Sequence, residues 1–333
     1  MIPLFYDKAT RKKVFRRIGL LASVVLLFLL LRQIHLRISE SAGGWRAVSP
    51  GNPLFLIASL LLLPVGFGVE AYKWRQLLEA SGSGKVGFKK AFISVLCGTA
   101  ASAVTPNRVG DYPGRVLALR NISLESGTVA GVLGAGSQFA TLFLWALPAA
   151  FRIPISGNYL PQSLLAALTA GGAGLALLIY FYTDRWVAFV LRVPFLRRFL
   201  SNTQKPAVVV PRRVLWTALF WSLLRFAVYT TQFWLLLHWL QVPMTTPVQG
   251  WMRCAFFFSL LAVIPNFALA EIGIRGAVAL FLFDPTGQSS AAVFMASLLL
   301  WMTNLALPSL AGSALWFRRG KTFRKRNRPK NYL

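Results

Sequence analysis

The feature that most constrains this chain is residues 18–31, IGLLASVVLLFLLL, a run with no charge. Carried on to Leu36, it approaches the ~20 residues that a helix needs to cross a bilayer core. Further apolar stretches lie at about 54–72, 125–150, 162–182, 214–238 and 289–317. Inside hydrocarbon, backbone groups must bond within their own segment, so such stretches predict helices. The expected fold class is an all-α polytopic membrane protein with about six full transmembrane helices. Composition agrees: 56% of the 333 residues are hydrophobic and 14% are charged, against about a quarter charged in soluble domains.

Two more apolar segments are broken. One reads 91–105 followed by 108–120, and the other reads 250–265 followed by 267–283. Each carries Pro-Asn at its break, Pro106-Asn107 and Pro265-Asn266. Proline interrupts a helical hydrogen-bond ladder. Freed backbone at membrane depth is tolerated only where protein or a watery cavity satisfies it. These segments are therefore expected to be discontinuous or re-entrant helix pairs.

Lys and Arg total 36 against nine Asp and Glu. Such an excess raises nucleic-acid binding as a class, but position argues against it. The arm to Arg17, the loops at 73–90 and 183–213 and the tail from Arg318 hold 26 basic residues. The alternate loops hold four: Arg32, Arg37, Arg46 and Arg152. Cytoplasmic loops are the ones enriched in Lys and Arg, so both termini are expected to be cytoplasmic. The layout is a basic arm (1–17), one transmembrane domain (18–317) and a basic tail (318–333). The basic start, apolar run and following Ser39, Ser41 and Ala42 also resemble a secretion signal. The polar stretch from Arg32 to Arg37 separates that run from any cleavage site. Cys97 and Cys254 match no metal-ligand spacing, and His35 and His238 are the only histidines. No metal or cofactor is expected.

The broken segments resemble each other. Val104-Thr-Pro-Asn-Arg-Val-Gly-Asp-Tyr-Pro-Gly-Arg115 is followed much later by Val263-Ile-Pro-Asn-Phe-Ala-Leu-Ala-Glu-Ile-Gly-Ile-Arg275. Each has an acid shortly after Asn and an arginine four residues beyond the acid. The separation of Asn107 from Asn266 also carries the stretch at 54 onto the one at 214. By charge, the first of these runs inward and the second outward. The chain thus reads as an inverted-topology repeat, about 54–150 and 214–317. Substrate sites of such repeats lie where broken helices meet near the midplane.

Seven of the charged residues within the apolar segments are candidate substrate-binding groups: Arg108, Asp111, Arg115, Arg225, Arg253, Glu271 and Arg275. Charge at that depth is costly, and is usually paired and functional. Asp111 with Arg115 and Glu271 with Arg275 are spaced i,i+4, one helical face each. An arginine fork matches a phosphate, often bidentately. A neighbouring carboxylate would hold the fork in place. The structural alternative is two ion pairs that only fix helix packing. Gln138 and Asn304 are expected to make interhelical hydrogen bonds, and Glu70 with Lys73 to form an interfacial pair. Gly127, Gly131, Gly134 and Gly136 suit close helix packing.

The segment Val104–Leu119 resembles a motif of the lysylphosphatidylglycerol synthase transmembrane region, also called the flippase-like family. Ile264–Arg275 resembles that family's second motif. The resemblance implies a multi-pass inner-membrane (plasma-membrane) protein whose relatives include transporters of aminoacylated or other lipids. It transfers Arg108, Asp111, Arg115, Glu271 and Arg275. The second motif has Phe267 and Leu269 where the first has Arg108 and Gly110. Synthase members carry a soluble transfer domain after the membrane part. Here sixteen residues follow Phe317, so transfer chemistry is not expected in this chain.

The reading is a lipid transporter that binds a polar, phosphate-bearing head group in an intramembrane cavity. Its partners are lipid and membrane. A protein partner or homo-oligomer stays open. The alternatives are a non-transporting accessory protein and a membrane enzyme, or enzyme subunit, acting on head groups. No catalytic constellation supports the enzyme. The topology makes a direct prediction: alkaline phosphatase fused at the C-terminus is inactive, whereas green fluorescent protein fused there fluoresces. The opposite pattern would reverse the orientation.

Overall fold

A computed structural model describes residues 28–29, 31–40, 44–103, 105, 108–119, 122–152, 161–183, 185, 210–264, 270–284 and 286–326. The basic arm, most of the first apolar run, both Pro-Asn breaks and most of the 183–213 loop lie outside these residues. So does the end of the tail. Helix α1 covers 31–40. It is followed by α2 (Pro53–Leu78), α3 (Phe88–Ala103), α4 (Asp111–Leu117), α5 (Leu124–Arg152) and α6 (Gln162–Phe181). The second half holds α7 (Arg212–Trp239), α8 (Pro247–Val263), α9 (Glu271–Phe283), α10 (Ser290–Trp301) and α11 (Leu307–Arg326). There is no strand among the described residues. Five helical segments are long and apolar enough to span a bilayer: Pro53–Ser83, Glu125–Arg152, Gln162–Phe181, Arg212–Trp239 and Ser290–Phe317. The chain is a multi-pass, all-α membrane protein.

Local chemistry sets the helix ends. Asn52 accepts a hydrogen bond from Leu54 N at the start of α2, and Pro53 takes the first helical position. Thr246 caps α8 through Gln249 N, again with proline next. Proline there forfeits only an N–H that the helix could not have used. Between α10 and α11 a π-helical turn, Met302–Ala306, interrupts the regular ladder. Pro308 cannot donate to the Asn304 carbonyl, and such bulges absorb the defect.

One expectation is corrected here. The sequence reading ends the second apolar stretch at 72 and places Glu70 and Lys73 at an interface. Helix α2 instead continues to Leu78, and both side chains are buried. The 73–90 loop begins correspondingly later, and Lys73 is not one of its basic residues.

Helices α2 and α7 form the most extensive packing among the described residues. The order of their contacts gives their relative direction. Gln232 Nε2 donates to Ser59 O, Gly66 faces Tyr229, Glu70 meets Arg225, and Lys73 Nζ donates to Ser222 Oγ. Rising numbers on α2 meet falling numbers on α7, so the two are antiparallel. Two apolar cores flank this pair. One gathers α2–α5 with the beginning of α7, around Trp74, Leu77 and Val95. The other gathers the end of α7 with α8–α10 and the end of α5, around Phe233, Phe257 and Val293.

The last helix of each half packs against the broken segment of the other: α11 on α3, and α5 on α8. Ser309 Oγ donates to Thr99 O in the first contact, and Ser259 Oγ to Leu142 O in the second. Gly312 brings α11 so close that an added Cβ would sit 2.0 Å from the Leu96 carbonyl oxygen. Gly312→Ala is therefore expected to cost roughly 1–3 kcal/mol, the usual range for overpacking. Gly171, with nothing within 4 Å, is the control site. Thermal unfolding in detergent should show a lowered midpoint for the first alanine only.

Candidate functional site

The centre of the molecule is a carboxylate, Glu70, on the α2 face that meets α7 and α4. It is 0% exposed and is held by three cations. Arg115 Nη1 donates to its Oε1 at 2.6 Å. Arg225 Nη1 and Lys73 Nζ both lie 2.9 Å from its Oε2. Arg115 is itself 1% exposed and clasps Asp111 with two parallel bonds, Nε to Oδ1 at 3.0 Å and Nη2 to Oδ2 at 2.6 Å. Its guanidinium carbon lies 4.8 Å from the Tyr112 ring centre and 5.4 Å from that of Trp74. Each of its three nitrogens thus meets a carboxylate, in the bidentate geometry that makes such pairs strong.

The short helix α4 makes this possible. Asp111 opens it and Arg115 follows one turn later. Pro113, which weakens a helical reading of the sequence, falls in the first turn, where proline is tolerated. Gly98 on α3 lets α4 approach: a Cβ there would lie 2.5 Å from both Arg115 Cγ and Asp111 Oδ1. Gly131 and Gly134 on α5 lie against Tyr112 in the same way. The small residues of that helix do serve close packing.

Arg225 extends the network. It donates from Nη1 to Gln138 Oε1 at 3.1 Å and from Nη2 to Tyr229 OH at 2.9 Å. Lys73 reaches Ser222 Oγ at 3.1 Å, and Ser222 pairs with Ser137. The expected interhelical hydrogen bond of Gln138 is therefore present. That of Asn304 is not: its Oδ1 is buried with no partner among the described residues.

A second, smaller set gathers on Glu271, the first residue of α9. Its Oε1 accepts from Arg275 Nε at 2.8 Å and from Arg108 Nη2. Arg108 joins the end of one broken segment to the other. Its side chain is 43% exposed, and its φ of +56° places the backbone in the left-handed region, uncommon for a residue with a side chain. Arg275 is 13% exposed and engages Glu271 through Nε. Neither of its terminal amino groups is hydrogen-bonded among the described residues.

The chain from 17 to 312 matches the family model described as the lysylphosphatidylglycerol synthase transmembrane region. The chain belongs to that family. No curated protein matches it. The motif residues Arg108, Asp111, Arg115, Glu271 and Arg275 all enter the two charge sets, and Arg225 joins them. Arg253 does not: its Nη1 approaches only Leu282 O, at 3.5 Å. Glu70, the best-connected acid, went unselected in the sequence because it sits next to the apparent end of an apolar run. A helical reading carried on to Leu78 would have placed Glu70 on one face with Gly66, Lys73 and Leu77.

Glu70→Ala would leave Lys73, Arg115 and Arg225 without their shared counter-ion. Removing one partner of a buried pair typically costs roughly 3–5 kcal/mol. Asp111, with 24% of its side chain exposed, should cost clearly less on truncation. Thermal unfolding of the two variants in detergent checks the ranking, and equal losses would remove Glu70 from the centre.

Proposed function

We propose that this membrane protein binds the phosphate-bearing head group of a lipid between its two halves and moves that lipid between leaflets. The observation that carries the reading is the charge balance of the network. Three carboxylates, Glu70, Asp111 and Glu271, stand against five cations, Lys73, Arg108, Arg115, Arg225 and Arg275. Charge at bilayer depth is unfavourable unless neutralised. A surplus of two cations among apolar helices is what an anionic ligand would offset. Guanidinium groups are well shaped to receive phosphate oxygens.

The inverted repeat supports movement rather than binding alone. Helices α2, α3 and α4 start at Pro53, Phe88 and Asp111, and α7, α8 and α9 start at Arg212, Pro247 and Glu271. The separation within each of these pairs of starts is almost constant. Corresponding helices α2 and α7 run antiparallel. Their contacts are also self-complementary: exchanged by that separation, Glu70–Arg225 becomes Tyr229–Gly66, the neighbouring contact on the same pair of helices. A two-fold relation gives this kind of reciprocity. The exchange of α5 and α11 between halves follows the same rule. Repeats so related rock about a central site in alternating access. In this reading the protein resides in the plasma membrane with both termini cytoplasmic, and the broken helices are re-entrant.

The test is leaflet exchange in vesicles. Wild type reconstituted with acyl-labelled phosphatidylglycerol should speed loss of inner-leaflet label well above protein-free vesicles. Arg275→Ala should lower that rate about tenfold, the effect of roughly 1.4 kcal/mol of lost interaction. Wild-type rates equal to protein-free vesicles would end the transport reading.

A further inference from the structure

The two halves hold equivalent arginines in different states. Arg115 and Arg275 correspond in the repeat, as do the acids that precede them, Asp111 and Glu271. Each arginine donates its Nε to the acid one turn earlier. There the likeness stops. Arg115 also has Glu70 on Nη1 and has both oxygens of Asp111. The alignment of Pro53 with Arg212 that starts the repeat puts Tyr229 in the second half where Glu70 stands in the first. Tyr229 brings no charge, and its hydroxyl is already used by Arg225. Arg275 therefore has one carboxylate where Arg115 has two, and shares the same oxygen of that carboxylate with Arg108.

The two sets carry the same net charge, and the difference lies in how each arginine is bonded. Around Arg115 every guanidinium nitrogen meets a carboxylate, and the group is shut off from solvent. Around Glu271 two guanidinium groups lean on a single oxygen, and both keep exposed surface. An anion added at the first set would have to displace a carboxylate. An anion added at the second would complete a coordination that its counterpart already has.

We infer that a phosphate group binds beside Tyr229, across Arg275 and Arg108, in the place that the Glu70 carboxylate takes in the other half. Arg115, although it carries the same motif, is a framework residue and takes no ligand. The site has a net charge of +1 from Arg108, Arg275 and Glu271. One negative charge neutralises it, so it fits a phosphodiester monoanion better than a phosphomonoester dianion. This inference rests on the head-group reading above and narrows it to one of the two halves. The left-handed backbone at Arg108 fits the same role, since that side chain has to cross from the first broken segment to reach the second half.

The experiment supplies the second half with the carboxylate it lacks. Tyr229→Glu places an acid at the position equivalent to Glu70, beside Arg225, which Tyr229 already contacts. Arg108→Gln removes the partly exposed cation. Wild type and both variants are titrated with dioleoyl phosphatidylglycerol in mild detergent, with dioleoylglycerol, which has no phosphate, as comparison, and read by native mass spectrometry. Thermal midpoints are recorded alongside.

The expected result is at least tenfold weaker retention of phosphatidylglycerol by Tyr229→Glu with a midpoint equal to or above wild type. Arg108→Gln should weaken retention several-fold. Wild-type retention in a folded Tyr229→Glu protein would overturn the inference and leave the head-group reading intact. If Tyr229→Glu does not fold, unchanged retention in Arg108→Gln overturns it instead. A wild type with no preference for phosphatidylglycerol over the phosphate-free dioleoylglycerol overturns both readings. Inorganic phosphate that competes the lipid away at millimolar concentration would keep the site and assign it to a soluble anion.

Discussion

The structure depends on one buried carboxylate. Glu70 has no access to solvent, and its two oxygens collect cations from α2, α4 and α7. An ionised carboxylate in a medium of low polarity is unfavourable by many kcal/mol unless its charge is offset and its lone pairs are bonded. Glu70 meets both conditions at once. That requirement fixes how deep α4 inserts, which face α2 turns toward α7, and how the two align. Apolar packing sets that these helices associate. Without such a directional contact, it would leave their rotation and register loosely defined, because lipid tails are as apolar as leucine.

Close backbone approach is the second condition. A charged network can be closed around a single carboxylate only if the helices that supply the cations come near enough. Gly98 allows this at the α3–α4 contact, Gly131 and Gly134 at Tyr112, and Gly312 where α11 crosses α3. The sequence scatters these glycines widely along the chain, yet they act on the same few helix crossings. Tyr112 and Trp74 cover the Arg115 guanidinium from the sides, which replaces water with ring faces that suit a cation.

The two halves then differ in chemistry while sharing an element order. The first half gives every guanidinium nitrogen of Arg115 a carboxylate oxygen. The second leaves two arginines on one oxygen of Glu271.

How much of this was legible differs by residue. The helical, multi-pass class and five of the expected spans followed from apolar length, because a backbone in hydrocarbon has few ways to satisfy itself. The i,i+4 spacing of Asp111 with Arg115 and of Glu271 with Arg275 gave the local pairs correctly, since helix geometry alone brings them together. The pairing of Arg108 with Glu271 and of Glu70 with Arg225 could not be read that way, as each joins residues far apart in the chain. Arg253 shows the converse: an arginine at the same apparent depth is turned toward a backbone carbonyl and stays out of the network. By itself the sequence determined which segments are helical, where they break, and which acid and arginine share a face. Only the tertiary structure decided that Glu70 is the hub, and that Arg115 has two carboxylates where Arg275 has one. Those outcomes depend on which helix faces meet, and that is set by packing between distant segments rather than by any local pattern.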